Sequence, residues 1–435
     1  MGATASKVPV AVLGAGLTGM SAAHFLRAAG IDRRLFEKLD RPGGHAVTIE
    51  EQGWRFDRTG HLLHVKDPEL RALALAWMGR DHREIARDSR VWSHGVYTRY
   101  PFQANAHGLP PDVAHACVMG FLRARQQPQP ERYADFEHFC RAQFGDAISD
   151  HFMIPYNTRV WGVPPSEITA DWASRFVPIP EVEDVIAGAV GHRRRELGYN
   201  ARFLYPGLGI GQLSDGMARA LGDVELGRAP RSIDAASRRL VFDDERVDYD
   251  VLISTAPVPS LVRLIDDVPS EVKAAADRLR CTHLYYLDIA LRGECGRPFH
   301  WIYVPEDRYP FYRVGCYSSF SPRMAPVRSA GLYVELVDRR EPDLNELLPE
   351  VAAALIEMGL IARPEAIVFA RVRRIDHAYV IFDHDHYPAL EAVQEFLTSH
   401  RILSAGRYGG WNYSSMGDAL AFGRQAAERA AGMLG

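Results

Sequence analysis

Two glycine-rich turns stand at opposite ends of the 435-residue chain: Gly14-Ala15-Gly16-Leu17-Thr18-Gly19 near the start and Gly406-Arg407-Tyr408-Gly409-Gly410 near the end. The first follows the apolar run Val8 to Leu13 and opens a helical pattern, so free backbone N–H groups at a helix start can meet an anion. Gly14 suits the tight turn, Gly16 the close approach of a pyrophosphate, and Gly19 the packing of helix on strand, with Leu17 and Thr18 opening the helix. Arg34 to Glu37 reads as a second strand ending in an acid 18 residues after Gly19, where a carboxylate can accept both hydroxyls of a ribose. Lys38 and His45 flank Gly43 and Gly44, a glycine pair that allows a second close backbone approach.

Strand, glycine loop, acid and second glycine pair together resemble the FAD-binding signature of flavoproteins built like amine oxidases. In such folds the N-terminal turn holds the adenosine and a C-terminal helix holds the isoalloxazine, its dipole favouring negative charge on the reduced ring. The second turn fits that role: Ile402 to Gly406 reads as a strand entering a loop, and Met416 to Met433 as a helix with Asp418 near its start. Gly406, Arg407, Tyr413, Ser415 and Met416 are its expected cofactor contacts. Both turns then serve one FAD, and the chain between them must leave the domain and return, with Val251 to Pro257 as one returning strand.

Composition bounds the partners. A net charge of -4, with 47% hydrophobic and 24% charged residues, describes a soluble globular protein and gives no reason to expect nucleic acid or an anionic membrane as partner. No apolar run approaches the roughly 18 residues that span a bilayer. Five dispersed cysteines without a C-x-x-C pair argue against a disulfide framework or a metal site and fit a reducing cytoplasm.

The expected architecture is α/β: a discontinuous Rossmann-like FAD domain (1–105, 199–277 and 395–435), a helical insertion (106–198), and a mixed or antiparallel substrate-side sheet (278–394). Within the insertion, 181–197 reads as one helix whose basic end, His192 to Arg195, is a solvated C-terminus rather than an anion site. HLYYLDIAL, HWIYVP, FYRVGCY and GLYVELV supply the sheet, and strict alternation along FYRV sets Phe311 and Arg313 on one face.

Several further stretches resemble UDP-galactopyranose mutases, flavoenzymes that interconvert the pyranose and furanose forms of a nucleotide sugar. Gly60-His61 is similar to the family's turn beside the reactive flavin nitrogen, and Tyr100-Pro101-Phe102-Gln103 to its substrate mouth. The segment Phe152 to Trp161 resembles the one whose aromatics hold the uridine; Phe152 and Tyr156, at i, i+4, could each offer a flat face worth roughly 1 to 3 kcal/mol to a base. The resemblance assigns Tyr303, Arg313, Tyr379 and Tyr413 to the diphosphate, Asn200 to the sugar and, with a one-residue gap, Arg175 as a second diphosphate arginine. Two departures stand near sugar and phosphate: Ala378-Tyr379-Val380 replaces a GYP-like tripeptide, and Gly417 stands where relatives carry asparagine.

What the resemblance implies is a mutase in which reduced FAD is the nucleophile at the anomeric carbon. His61 tunes the flavin, while Arg313 and Arg175 stabilise the departing diphosphate. The partner is a nucleotide-diphosphate sugar, and a homodimer is one arrangement the sequence allows. The rival on the same scaffold is an FAD-dependent oxidoreductase of amine oxidase, protoporphyrinogen oxidase or desaturase type, whose site calls for an apolar tunnel rather than arginines and tyrosine hydroxyls.

Overall fold

The computed structural model describes residues 4–435 apart from 193, 196, 198–200 and 298, so Asn200 lies outside the described residues. In chain order the elements that position the site begin with β1 (Thr4–Leu13), α1 (Leu17–Ala28), β2 (Arg33–Phe36), β3 (Ser89–Ser93) and β4 (Val96–Arg99). They continue with α2 (Ile154–Trp161), α3 (Val182–Ala189), β5 (Glu245–Ser254), β6 (Cys281–Arg292) and β7 (Trp301–Tyr303). The last are β8 (Phe311–Cys316), β9 (Ser329–Leu336), α4 (Leu344–Glu357), β10 (Ile367–Val380), β11 (Ile402–Ser404) and α5 (Met416–Leu434).

β1 is apolar along Val8 to Leu13 because it lies at the middle of a mixed sheet with a parallel neighbour on each side, where Val10, Ala11 and Val12 are fully buried. It pairs with β2 on one side and β5 on the other; Val224–Glu225 extends the sheet beyond β2, and β11 joins the C-terminal half of β5. The chain thus leaves after β2 and returns at β5 and β11. α1 and α5, which follow the two glycine turns, pack together closely: Ser21 Oγ donates to the Leu420 carbonyl at 2.7 Å. A Cβ on Gly423 would sit 2.4 Å from the Thr18 carbonyl oxygen, so only glycine admits this approach.

The second sheet has the order β10-β6-β9-β8-β7-β3-β4, antiparallel except where β7 meets β3. One face, with Tyr286, Tyr303, Tyr333 and Tyr379, joins the core shared with the first sheet. The other packs on α4 through Val351 and Leu355. β3 and β4 fall within 1–105 in sequence, yet they pair with this sheet rather than with the FAD sheet.

Two local expectations are corrected. Phe311 and Arg313 do not share a face: a β-bulge sets Phe311 opposite Leu336 and Arg313 opposite Glu335, so Phe311 turns into the α4 core while Tyr312 joins the inner one. The helix expected over 181–197 stops at Ala189, because Gly191 takes φ +80° and packs against the ring of His107. Arg194 and Arg195 lie beyond the helix and fold back onto Asp184.

Candidate active site between the glycine turns and the second sheet

At the N-terminal turn each glycine answers a contact. Gly14 has φ +98°, and a Cβ there would lie 2.3 Å from Thr255 Oγ1. Gly16 caps α1 without any side-chain hydrogen bond, so the first N–H groups of that helix stay open to a ligand. Gly16 and Gly43 form an isolated bridge, and a Cβ on Gly44 would lie 3.4 Å from Gly16 Cα. Glu37 is buried and fastens the loop, accepting from Ala15 N at 2.7 Å and Leu39 N at 3.0 Å. A carboxylate has about four acceptor sites, so two remain for ribose hydroxyls. Lys38 is exposed.

Further along, His45, His61 and Tyr408 are deep in the molecule and still keep accessible surface, which marks them as lining a cavity. Arg58 Nη1 lies 3.2 Å from His45 Nδ1. Burial, with the charges of Arg407 and Arg313, lowers His61 to about 4, so the ring is neutral near pH 7; its Nδ1 has no partner. Burial and neighbouring cations push His45 the same way. Gly60 is required by Tyr333, whose hydroxyl would lie 2.4 Å from a Cβ at that position. Arg407 donates to the carbonyls of Ser414 (2.7 Å) and Ala378 (2.8 Å), and among the described residues neither it nor Arg58 meets a carboxylate. Their uncompensated charge favours an anion in the cavity.

α5 begins with a capping box in which Ser415 and Asp418 satisfy each other's backbone N–H groups. Met416 is buried beside it. The departure at Gly417 has a steric reason: a Cβ there would sit 2.1 Å from the His64 carbonyl oxygen, so no asparagine fits. Glycine cradle, open helix start and the partly accessible His45 and His61 suit FAD, which the residues above would hold.

Arg313 comes from β8 and faces Glu335 across the strand pair. Its Nε and Nη2 bond Glu335 at 2.6 to 3.0 Å, and Nη2 also donates to Tyr379 OH at 3.0 Å. Glu335 is 0% exposed, so the pair is internal, and only Nη1 is left without a hydrogen bond. The fork expected to grip a diphosphate is therefore partly committed. Tyr156, Tyr312 and Tyr379 surround the guanidinium closely enough to act on its charge, and Tyr312 OH is buried with no partner.

Arg175 is not gathered with Arg313. It is largely exposed, bonds Asp418 at 2.6 Å and lies over the ring of Phe176. Gln103 is buried and donates to the Pro178 carbonyl at 2.7 Å, holding the segment that carries Arg175. Phe152 sits in a π-turn ahead of α2, its two faces taken by Phe102 (5.1 Å) and Tyr156 (5.2 Å), so neither is open to a base. Tyr100 stacks on Tyr303 at 4.6 Å. Trp161 is buried edge-on among Tyr379, Tyr413 and Trp172.

The sequence reading passed over Glu335, Tyr312, Tyr333 and Arg58. Glu335 had a signal: a lone acid inside the apolar strand GLYVELV must find a cation.

A family described as flavin containing amine oxidoreductase matches residues 17–431. The chain belongs to that family. FAD is its cofactor, and it is a flavin-dependent enzyme resembling UDP-galactopyranose mutase. A crystal structure of reduced UDP-galactopyranose mutase superposes with TM-score 0.92 at 28% identity, over 98% of this chain and 94% of the other. Among curated proteins, a lycopene-forming phytoene desaturase of Pantoea ananas is 49% identical over 18% of this chain and 15% of its own length. Coproporphyrinogen III oxidase of Staphylococcus aureus is 26% identical over 47% of each chain. The chain thus spans less than half the length of these curated relatives. Among the described residues, no helix is long and apolar enough to cross a membrane.

Proposed function

We propose that the protein is an isomerase that interconverts the pyranose and furanose forms of a nucleotide-diphosphate sugar. The observation that supports this most is Arg313: a buried guanidinium held by Glu335, with one nitrogen left and tyrosines around it. Such a group suits an oxyanion and has no use in an apolar tunnel. As the bond from the anomeric carbon to the phosphate oxygen breaks, charge grows on the departing diphosphate. Arg313 Nη1 and the hydroxyls of Tyr156, Tyr379 and Tyr413 are the donors that take it up and hold the group for return. When bound in its reduced form, FAD supplies an electron-rich ring to the cavity. Neutral His61 adds no further positive charge there and offers Nδ1 to what is bound. Gln103 and Arg175 position the segment that borders the mouth.

The test is to give dithionite-reduced holoprotein a panel of nucleotide sugars, UDP-galactopyranose first, and to resolve the products by anion-exchange chromatography. Conversion to the furanose by reduced protein and none by oxidised protein is expected. An unchanged panel, with a known mutase active in parallel, contradicts the reading. The desaturase and oxidase relatives favour a second reading, net oxidation of the substrate, which requires the oxidised flavin to bleach when a polyene or porphyrinogen is added anaerobically.

A further inference from the structure

On the far side of Tyr100, between the β3–β4 edge of the second sheet and the tail of α3, lies a cavity of about 310 Å³. Five arginines line it, Arg87, Arg90, Arg99, Arg194 and Arg195, against two aspartates, Asp88 and Asp184. Both aspartates are already engaged: Asp88 by Arg90 at 2.7 Å, and buried Asp184 by Arg194 and Arg195 at 3.2 and 2.6 Å. Arg194 also approaches Glu183 at 3.8 Å; among the described residues lining the cavity, arginines still outnumber carboxylates, in a chain whose net charge is -4.

The register makes the excess more telling. Arg90 and Arg99 stand directly opposite each other on β3 and β4, an arrangement that costs stability between like charges unless an anion joins them. Arg99 is exposed, with no ion pair or side-chain hydrogen bond among the described residues, and Arg90 Nε is buried without a partner. A second observation is independent of charge. Ser89 lines the same cavity, is 5% exposed, and its Oγ has no hydrogen-bond partner. A buried hydroxyl left unpaired costs about 1 to 3 kcal/mol, which a ligand acceptor would recover. The volume exceeds what a single small ion fills and reaches the lower range of built ligand sites.

We propose that this basin is a second anion-binding site, separate from Arg313, that takes a multiply charged oxyanion of the phosphate or pyrophosphate class. Arg99 and Arg90 grip it from the sheet edge, Arg194 and Arg195 from the tail of α3, and Ser89 Oγ donates from the floor. The site goes beyond the isomerase reading and stands without it.

The probe is inorganic pyrophosphate, titrated calorimetrically into oxidised holoprotein at low salt. Wild type is expected to bind it, Arg99→Glu to bind about tenfold more weakly or not at all, and Arg99→Gln to fall between. Arg313→Lys, which weakens only the reaction site, should keep the Arg99-dependent binding. Unchanged flavin absorbance and a thermal midpoint no lower than wild type report that both Arg99 variants fold. No heat with wild type at millimolar pyrophosphate overturns the proposal, as does equal affinity in Arg99→Glu or a loss confined to Arg313→Lys.

Discussion

The second sheet carries two cross-strand charge pairs that solve opposite problems. Arg313 meets Glu335 across β8 and β9, and the two cancel in the interior. Arg90 meets Arg99 across β3 and β4, and the like charges stand at the edge beside a cavity. A buried pair of opposite sign fixes a geometry: Glu335 sets the guanidinium and leaves a single nitrogen for a ligand. At the edge, Asp88 holds Arg90 at 2.7 Å, and Arg99 is left near solvent without a counter-ion among the described residues. Precision in the first region and excess charge in the second are what a reaction site and a capture site respectively need.

Glu335→Ala leaves Arg313 buried and uncompensated, and denaturant unfolding should show a loss of about 3 to 5 kcal/mol. Gly60→Ala pushes on Tyr333, two residues before Glu335 on β9, and should cost about 1 to 3 kcal/mol in the same assay. A further effect depends on pH. His61 is near 4 in the folded protein and about 6.5 unfolded, so the unfolded chain binds the extra proton between those values. Relative to His61→Asn, wild type should therefore lose stability as pH falls from about 6.5 to about 4 and stay level above that window. At the other pair, Arg99→Gln in phosphate-free buffer removes a repulsion and should raise stability by about 0.2 to 1 kcal/mol.

The cofactor half of the site was legible because its constraints are local. A glycine at φ +98° and an acid at a fixed remove from it lie within one short stretch of chain; Gly14 sits against Thr255 Oγ1 and Glu37 accepts from Ala15 N. The substrate half depends on which strands meet. Nothing in FYRV reveals the bulge that turns Phe311 away from Arg313, since a bulge exists only relative to β9. Glu335 was visible as an anomaly, but its partner was not. The i, i+4 spacing of Phe152 and Tyr156 correctly implied neighbouring rings, yet it could not show that Phe102 closes the remaining face of Phe152. For the basic run after α3, Gly191 was the overlooked sign that the helix had already ended.

The most direct test of the account concerns Arg313 Nη1. UDP should be titrated into oxidised holoprotein of wild type and Arg313→Lys, because a lysine can keep the charge beside Glu335 while losing the extra donor. The account predicts affinity lower by about tenfold or more in Arg313→Lys, with flavin absorbance and thermal midpoint unchanged. Equal affinity in the two proteins would contradict it and remove Arg313 from the binding of the diphosphate.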